Sequence, residues 1–321
     1  MELIGHPPPV SRRAMLEISN NSTSIFRSCP KKYYFHYVLG LTPFKKSSSL
    51  TLGSIIHSAF DMYYNKFSVD EVTSYLVNTA NEVIANASPE EAEDLAIMKY
   101  TLLGMWLNYP KDLSIFTDIK PEMEFALKFA NGVRLVLKID GLVVKDDKMW
   151  IRELKTSGLS FPQFEQRCRT SSQSSLYTFA LRRLGYPVEG MIYDYIKKPQ
   201  LRKNMSEDKD QFGYRIMTNY KERPDYYFNR LFSYRSDDDL LLFEEDLMSC
   251  ARSIKRCIRT GEWWRNMDSC WSFNSLCPYT PICFKKIPDQ LTVDVFFKHE
   301  ITVNKGGKDG KGVGEAEGTV G

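Results

Sequence analysis

The sequence predicts an α/β fold, and three features predict it. A helical block covers about residues 68–118, a β-hairpin follows over 133–154, and a helix, a strand and a long helix come after it over 171–184, 189–196 and 238–260. Apolar spacing that switches from a period of 3.6 to a period of 2 and back is the pattern of a sheet with helices packed on it. The chain has 321 residues, which suits one decorated domain or about two domain-sized units. Residues 19–303 are expected to form a single domain. Residues 1–18, beginning His6-Pro7-Pro8-Pro9, read as a loose arm, and the Gly- and Lys-rich residues 304–321 as a disordered tail.

Each element rests on local chemistry. Ser19-Asn20-Asn21-Ser22 is a cap that predicts a short helix through Phe35. Leu52-Gly53 leads into a helix carrying His57, Phe60 and Tyr64. Ser88-Pro89-Glu90-Glu91 sets a serine N-cap, a proline at the first helical position and acids in the first turn. Val133, Leu135, Leu137 and Ile139 alternate with Arg134, Val136, Lys138 and Asp140, the period of a strand. Lys145-Asp146-Asp147-Lys148 is the turn, and Met149 to Leu154 the return strand. Gly185-Tyr186-Pro187 stops the helix before the 189–196 strand.

Composition removes several classes. With 43% hydrophobic and 26% charged residues, disorder, collagen-like and coiled-coil readings fail. There is no apolar run of about 18 residues, so no membrane span is expected. The first residues lack an apolar signal region, so a cytoplasmic location is expected. A net charge of only +3 leaves any nucleic-acid contact to local patches.

The hairpin carries the most informative pattern. With the turn centred on Asp146-Asp147, Asp140 comes opposite Glu153, and Lys155 points to the same face two residues on. Opposed residues have Cβ atoms about 5 Å apart, so two carboxylates there repel unless a cation lies between them. Two hard carboxylates suit Mg²⁺ or Mn²⁺. Such an ion activates water and neutralises phosphate charge, and a lysine can orient that water or stabilise the charge that develops. The alternative is a solvated hairpin face, and a slip of one residue would turn Asp140 away. Gln173 and Tyr177, four apart, share a helix face. His57 is either a core histidine or a nitrogen donor completing a metal site.

Seven cysteines complete the pattern. Cys270-x6-Cys277-x5-Cys283 has the look of a metal cluster rather than of disulfides. Three thiolates fall one short of the usual four, and Cys29 is the candidate fourth. The other reading makes them small buried hydrophobes, as it does Cys168, Cys250 and Cys257.

The ordered series of Cys29-Pro30, Gly53-x3-His57, Asp140, Glu153-Leu154-Lys155-Thr156, Gln173-x3-Tyr177 and the three late cysteines resembles the RecB/Cas4/AddB-like branch of the PD-(D/E)XK nuclease superfamily over residues 20–285. The resemblance implies a restriction-endonuclease-like mixed β-sheet core flanked by helices, with the helical block inserted before an active-site hairpin. It implies His57, Asp140, Glu153 and the Leu154 carbonyl as ligands of Mg²⁺ or Mn²⁺, and Asp140, Glu153 and Lys155 as the catalytic set. Gln173 and Tyr177 would support the site and contact DNA. Cys29, Cys270, Cys277 and Cys283 would hold a [4Fe–4S] cluster, with Zn²⁺ the alternative occupant. Several members space the late cysteines C-x2-C-x5-C, and this chain departs from that pattern at Cys270. No G-x4-G-K-[ST] helicase motif is present. The implied protein is a stand-alone, metal-dependent DNA exonuclease of DNA processing or recombination, of a phage or CRISPR-associated type. It would act on single- or double-stranded DNA ends in a bacterial cytoplasm, with a recombinase, helicase or CRISPR-adaptation protein as partner and no membrane. A catalytically silent DNA-binding or assembly module on the same fold is the alternative.

Overall fold

The computed structural model describes residues 15–44, 48–111, 115–272, 275–285, 290–299 and 316–320. In chain order the elements are β1 (Leu16–Ile18), α1 (Asn20–Ser28), α2 (Pro30–Tyr33, running into a π-helical turn over Tyr34–Val38), β2 (Leu41–Pro43), α3 (Ser48–Tyr64), α4 (Val69–Ala85) and α5 (Pro89–Asn108). Then follow β3 (Asp118–Lys120), β4 (Met123–Phe129), β5 (Val133–Ile139), β6 (Gly141–Lys145), β7 (Lys148–Ser157), α6 (Phe161–Arg169), α7 (Ser172–Arg183) and β8 (Val188–Lys197). The chain ends with α8 (Lys209–Glu222), α9 (Pro224–Tyr227), β9 (Phe228–Tyr234), α10 (Asp237–Thr260), β10 (Trp271–Ser272), β11 (Ser275–Leu276), α11 (Thr280–Cys283), α12 (Gln290–Phe296), β12 (Phe297–His299) and β13 (Ala316–Val320). This is a mixed α/β fold with helices flanking mixed sheets, as a restriction-endonuclease-like core requires. Within it the chain forms two compact units, one of residues 47–123 and 138–235, the other of residues 1–46, 124–137 and 236–321.

The first unit holds a five-stranded sheet in the order β3-β6-β7-β8-β9. Strands β7 and β8 run parallel, and the other neighbours are antiparallel. A parallel pair needs a crossover, which α6 and α7 supply. The β6–β7 ladder runs from Gly141↔Arg152 to Lys145↔Lys148, the register expected from a turn centred on Asp146-Asp147. Both aspartates have positive φ, 51° and 59°, a type I′ turn whose twist matches the strands. The helices α3, α4, α5 and α8 bury Ile56, Phe60, Leu76, Leu102, Trp106 and Tyr220 against Leu154 and Ile196 of the sheet. The helical block is shorter than 68–118. It stops at Asn108, because Pro110 holds Tyr109 in the extended region, and β3 begins at Asp118. Helix α3 starts at Ser48, ahead of Leu52-Gly53.

In the other unit a sheet orders as β1-β5-β4-β13. The helix expected over 19–35 is broken at Cys29, whose backbone is extended because Pro30 follows it. Helix α10 opens with a Ser236–Asp239 capping box and three aspartates at its positive end. Cys250 and Cys257 are buried along it, as is Cys168 in the first unit. Two terminal expectations change. Leu16–Ile18, placed in the loose arm, pairs parallel with Val133–Leu135. Ala316–Val320, placed in the disordered tail, pairs parallel with Phe125–Phe129, since an edge ladder is built from backbone groups and asks little of composition. Residues 1–14 of that arm and 304–315 and 321 of that tail lie outside the described residues.

Candidate active site

Asp140 lies at the bend between β5 and β6. The glycine after it is a requirement of close approach, because a Cβ on Gly141 would lie 2.7 Å from the Lys120 carbonyl oxygen. The β6–β7 ladder ends one pair short of Asp140 opposite Glu153. Freed from the ladder, the Asp140 carboxylate accepts the Leu154 backbone N–H at 2.8 Å and meets His57 Nδ1 at 3.2 Å through the same oxygen. Helix α3 carries His57 into this contact, so the histidine is a partner of the carboxylate and not a core residue.

Glu153 is 4% exposed. Its Oε1 accepts from Lys155 Nζ at 2.6 Å and from Gln173 Nε2 at 2.8 Å, and its Oε2 is buried without a partner. Burial pushes the Glu153 carboxyl up, Lys155 opposes this, and the charge of Asp140 adds to it. Burial acts upward on Asp140 too. The hydrogen bond and charge of His57, then Arg152 and the Leu154 amide, outweigh it and hold that carboxyl below the usual range. Tyr177 hydrogen-bonds Gln173 one helical turn away, and its phenol is raised by burial and then by the Glu153 charge. A cleft of about 670 Å³ opens on the Asp140 side, lined by His57, Asp61, Glu122, Lys138, Asp140 and Leu154 among others.

A model of the PD-(D/E)XK nuclease superfamily matches residues 17–284. The chain belongs to the PD-(D/E)XK nuclease superfamily. Membership implies a metal-dependent nuclease, a phosphodiester hydrolase with DNA as its substrate. The match stands at the level of the superfamily and not of one branch. No curated protein matches the chain. Among the described residues no helix is long and apolar enough to cross a membrane.

Among the described residues of this nuclease, no three His, Cys, Asp or Glu side chains converge closely enough to grip an ion as they stand. The donor chemistry nevertheless fits one. A buried carboxylate oxygen left without a partner is costly, and a divalent cation is the partner that two carboxylates and an imidazole together would accept.

Pattern reading missed a buried ionic group behind the site. Arg152 alternates along β7 with its immediate same-face neighbours Trp150 and Leu154, both apolar and buried. Its guanidinium lies 3.6 Å over the Tyr64 ring, reaches the Asp140 carbonyl oxygen at 3.2 Å, and stands 3.6 Å from Asp194 Oδ2. Arg230 holds the other Asp194 oxygen at 2.7 Å. The available signal was an arginine between apolar residues, but its side-chain partners Tyr64 and Asp194 lie on α3 and β8, far off in sequence.

In the other unit lie the three cysteines singled out by spacing, Cys270, Cys277 and Cys283, and the separate candidate Cys29. Asn266 N–H donates to Cys29 Sγ at 3.4 Å, and the Cys277 N–H to the Cys270 carbonyl at 2.7 Å. The six residues between Cys270 and Cys277 include the β10–β11 hairpin, whose Trp271↔Leu276 pair brings its ends together. The wider spacing is thus closed by strand pairing. Burial raises the Cys283 thiol, and the charges of Cys29, Cys277 and Cys270 act on it in the same direction, against Arg265. Burial likewise raises Cys277.

Proposed function

We propose that this nuclease is a Mg²⁺- or Mn²⁺-dependent deoxyribonuclease of the RecB/Cas4/AddB-like branch, an exonuclease acting on DNA ends in processing or recombination. The observation that carries the reading is the pairing of Glu153 with Lys155 and Gln173 through one oxygen while its other oxygen is buried and unpartnered. That oxygen, Asp140, His57 and the Leu154 carbonyl would hold the metal. When bound, the metal lowers the pKa of a water and neutralises charge on the scissile phosphate. Lys155, anchored on Glu153, offers its remaining N–H donors to the attacking water or to a phosphate oxygen. Gln173 holds Glu153 in place. Tyr177, kept protonated, presents a phenol that donates to phosphate.

We assign Cys29, Cys270, Cys277 and Cys283 to a structural [4Fe–4S] cluster. The hairpin that brings Cys270 beside Cys277 supports this assignment, and four soft sulfur donors suit such a cluster. The test of the whole reading incubates purified protein with end-labelled linear DNA, single- and double-stranded, and with covalently closed circles, in EDTA, Mg²⁺ or Mn²⁺. The reading requires metal-dependent loss of linear DNA with the circles intact. Binding without metal-dependent cleavage contradicts it and supports the silent DNA-binding module. Brown protein with iron and sulfide supports the cluster, and colourless protein containing zinc removes it.

A further inference from the structure

Arg235 follows β9 directly and looks, from its charge, like a phosphate contact. Its hydrogen bonds say otherwise. Nε donates to Ser175 Oγ at 2.9 Å. Nη1 donates to Ser233 Oγ at 3.1 Å and to the Tyr234 carbonyl at 2.7 Å. Nη2 donates to the Cys168 carbonyl at 2.9 Å and the Ser171 carbonyl at 3.4 Å. A guanidinium has five N–H donors, and all five are spent. None of these acceptors is a carboxylate, so the side chain serves as a clamp rather than an ion pair.

The clamp closes on the junction between α6 and α7. Cys168 offers a carbonyl from the last turn of α6, where a cation is favoured. Ser171 is the N-cap of α7 and also accepts from Tyr193, and Ser175 lies in the first turn. Gln173 lies between those two serines in the same turn. Its amide is one of the two groups that hold Glu153 Oε1.

We infer that Arg235 is a positioning residue for the metal site: it locks the α6–α7 junction, so that Gln173 holds one oxygen of Glu153 and leaves the other free to take a cation. This rests on the metal-dependent reading above. Groups that fix a metal-binding carboxylate typically change affinity by 10–100-fold when lost.

The test reads Mn²⁺ binding to the full chain by electron paramagnetic resonance, with thermal unfolding and metal-free DNA binding beside it. Arg235→Lys keeps the charge but cannot span the five acceptors. It should weaken Mn²⁺ binding about tenfold and leave metal-free DNA binding unchanged, since no donor of Arg235 is free for phosphate. Gln173→Ala should weaken Mn²⁺ binding similarly, and the double variant should be no worse than Gln173→Ala alone, because the clamp acts through Gln173. Ser175→Ala removes one acceptor with little risk to folding and should give a smaller loss in the same direction, about threefold. Wild-type Mn²⁺ affinity in Arg235→Lys and Ser175→Ala, or additive losses in the double variant, overturns the inference alone. No Mn²⁺ binding by the wild-type chain overturns it together with the metal-dependent reading.

Discussion

Replacing Asp194 by alanine tests what the buried charges behind the site contribute. Asp194 stands between two guanidiniums, with Arg230 Nε at 2.7 Å from one oxygen and Arg152 Nη1 at 3.6 Å from the other. The side chains of Arg152 and Asp194 are each 2% exposed, so neither can turn to water. Without the carboxylate, Arg152 keeps the Asp140 carbonyl, the Tyr64 ring and the field of the Asp140 charge, but loses the carboxylate that stands 3.6 Å from its Nη1. Removing one partner of a buried pair costs about 3–5 kcal/mol. Arg230 is 27% exposed and can recover some hydration, which favours the middle of that range, about 4 kcal/mol. In a unit of this size that is a fall in Tm of roughly 10 °C. Arg152→Met is the contrast. It leaves Asp194 paired with Arg230 and fills a similar volume, so its cost should stay below about 2 kcal/mol. Urea and thermal unfolding of both variants, side by side, give the answer. Equal losses, or a loss under about 1 kcal/mol for Asp194→Ala, would refute the reasoning.

Gly190→Ala should loosen β9 from β8, because the new Cβ would lie 2.2 Å from the Ser233 carbonyl oxygen, which is backbone and cannot swing away. A stability loss of about 2 kcal/mol or more is expected from denaturant unfolding, and a neutral result contradicts the close approach. Asp147→Gly should stabilise the hairpin by about 0.5 kcal/mol, since its φ of 59° suits glycine better than aspartate. A measurable loss of stability would argue against the type I′ turn. Cys283→Ser should lower both iron content and Tm together, because a structural metal group contributes folding free energy. Unchanged iron and Tm would exclude Cys283 as a ligand.

Local pattern reached surprisingly far into this site, and its limits are physical. The centre of the 145–148 turn set the hairpin register, because opposed positions follow from the turn once pairing is antiparallel. Helix spacing placed Gln173 and Tyr177 on one face, and they do hydrogen-bond each other. The opposition of Asp140 and Glu153 was only half legible. The bend before Gly141, forced by close approach to Lys120, diverts Asp140 to the Leu154 amide. Strands β3 and β9 and helices α6 and α8 escaped notice, since β3 is three residues long and β9 mixes polar and apolar residues without clean alternation. The Arg152–Asp194–Arg230 group and the Arg235 clamp depend on strand neighbours and helix junctions tens of residues apart, which no window of sequence contains. Cysteine spacing singled out Cys270, Cys277 and Cys283, but the strand pairing that brings the ends of the x6 gap together needed the fold.

The central claim is that Lys155 serves the chemistry at the Asp140–Glu153 site. Its most direct test compares wild-type protein with Lys155→Ala on end-labelled linear DNA in Mg²⁺ or Mn²⁺, with DNA binding measured alongside in EDTA. The account predicts metal-dependent cleavage by the wild type, and binding without cleavage by the variant. Cleavage at equal rates by both proteins would contradict it and place the chemistry elsewhere.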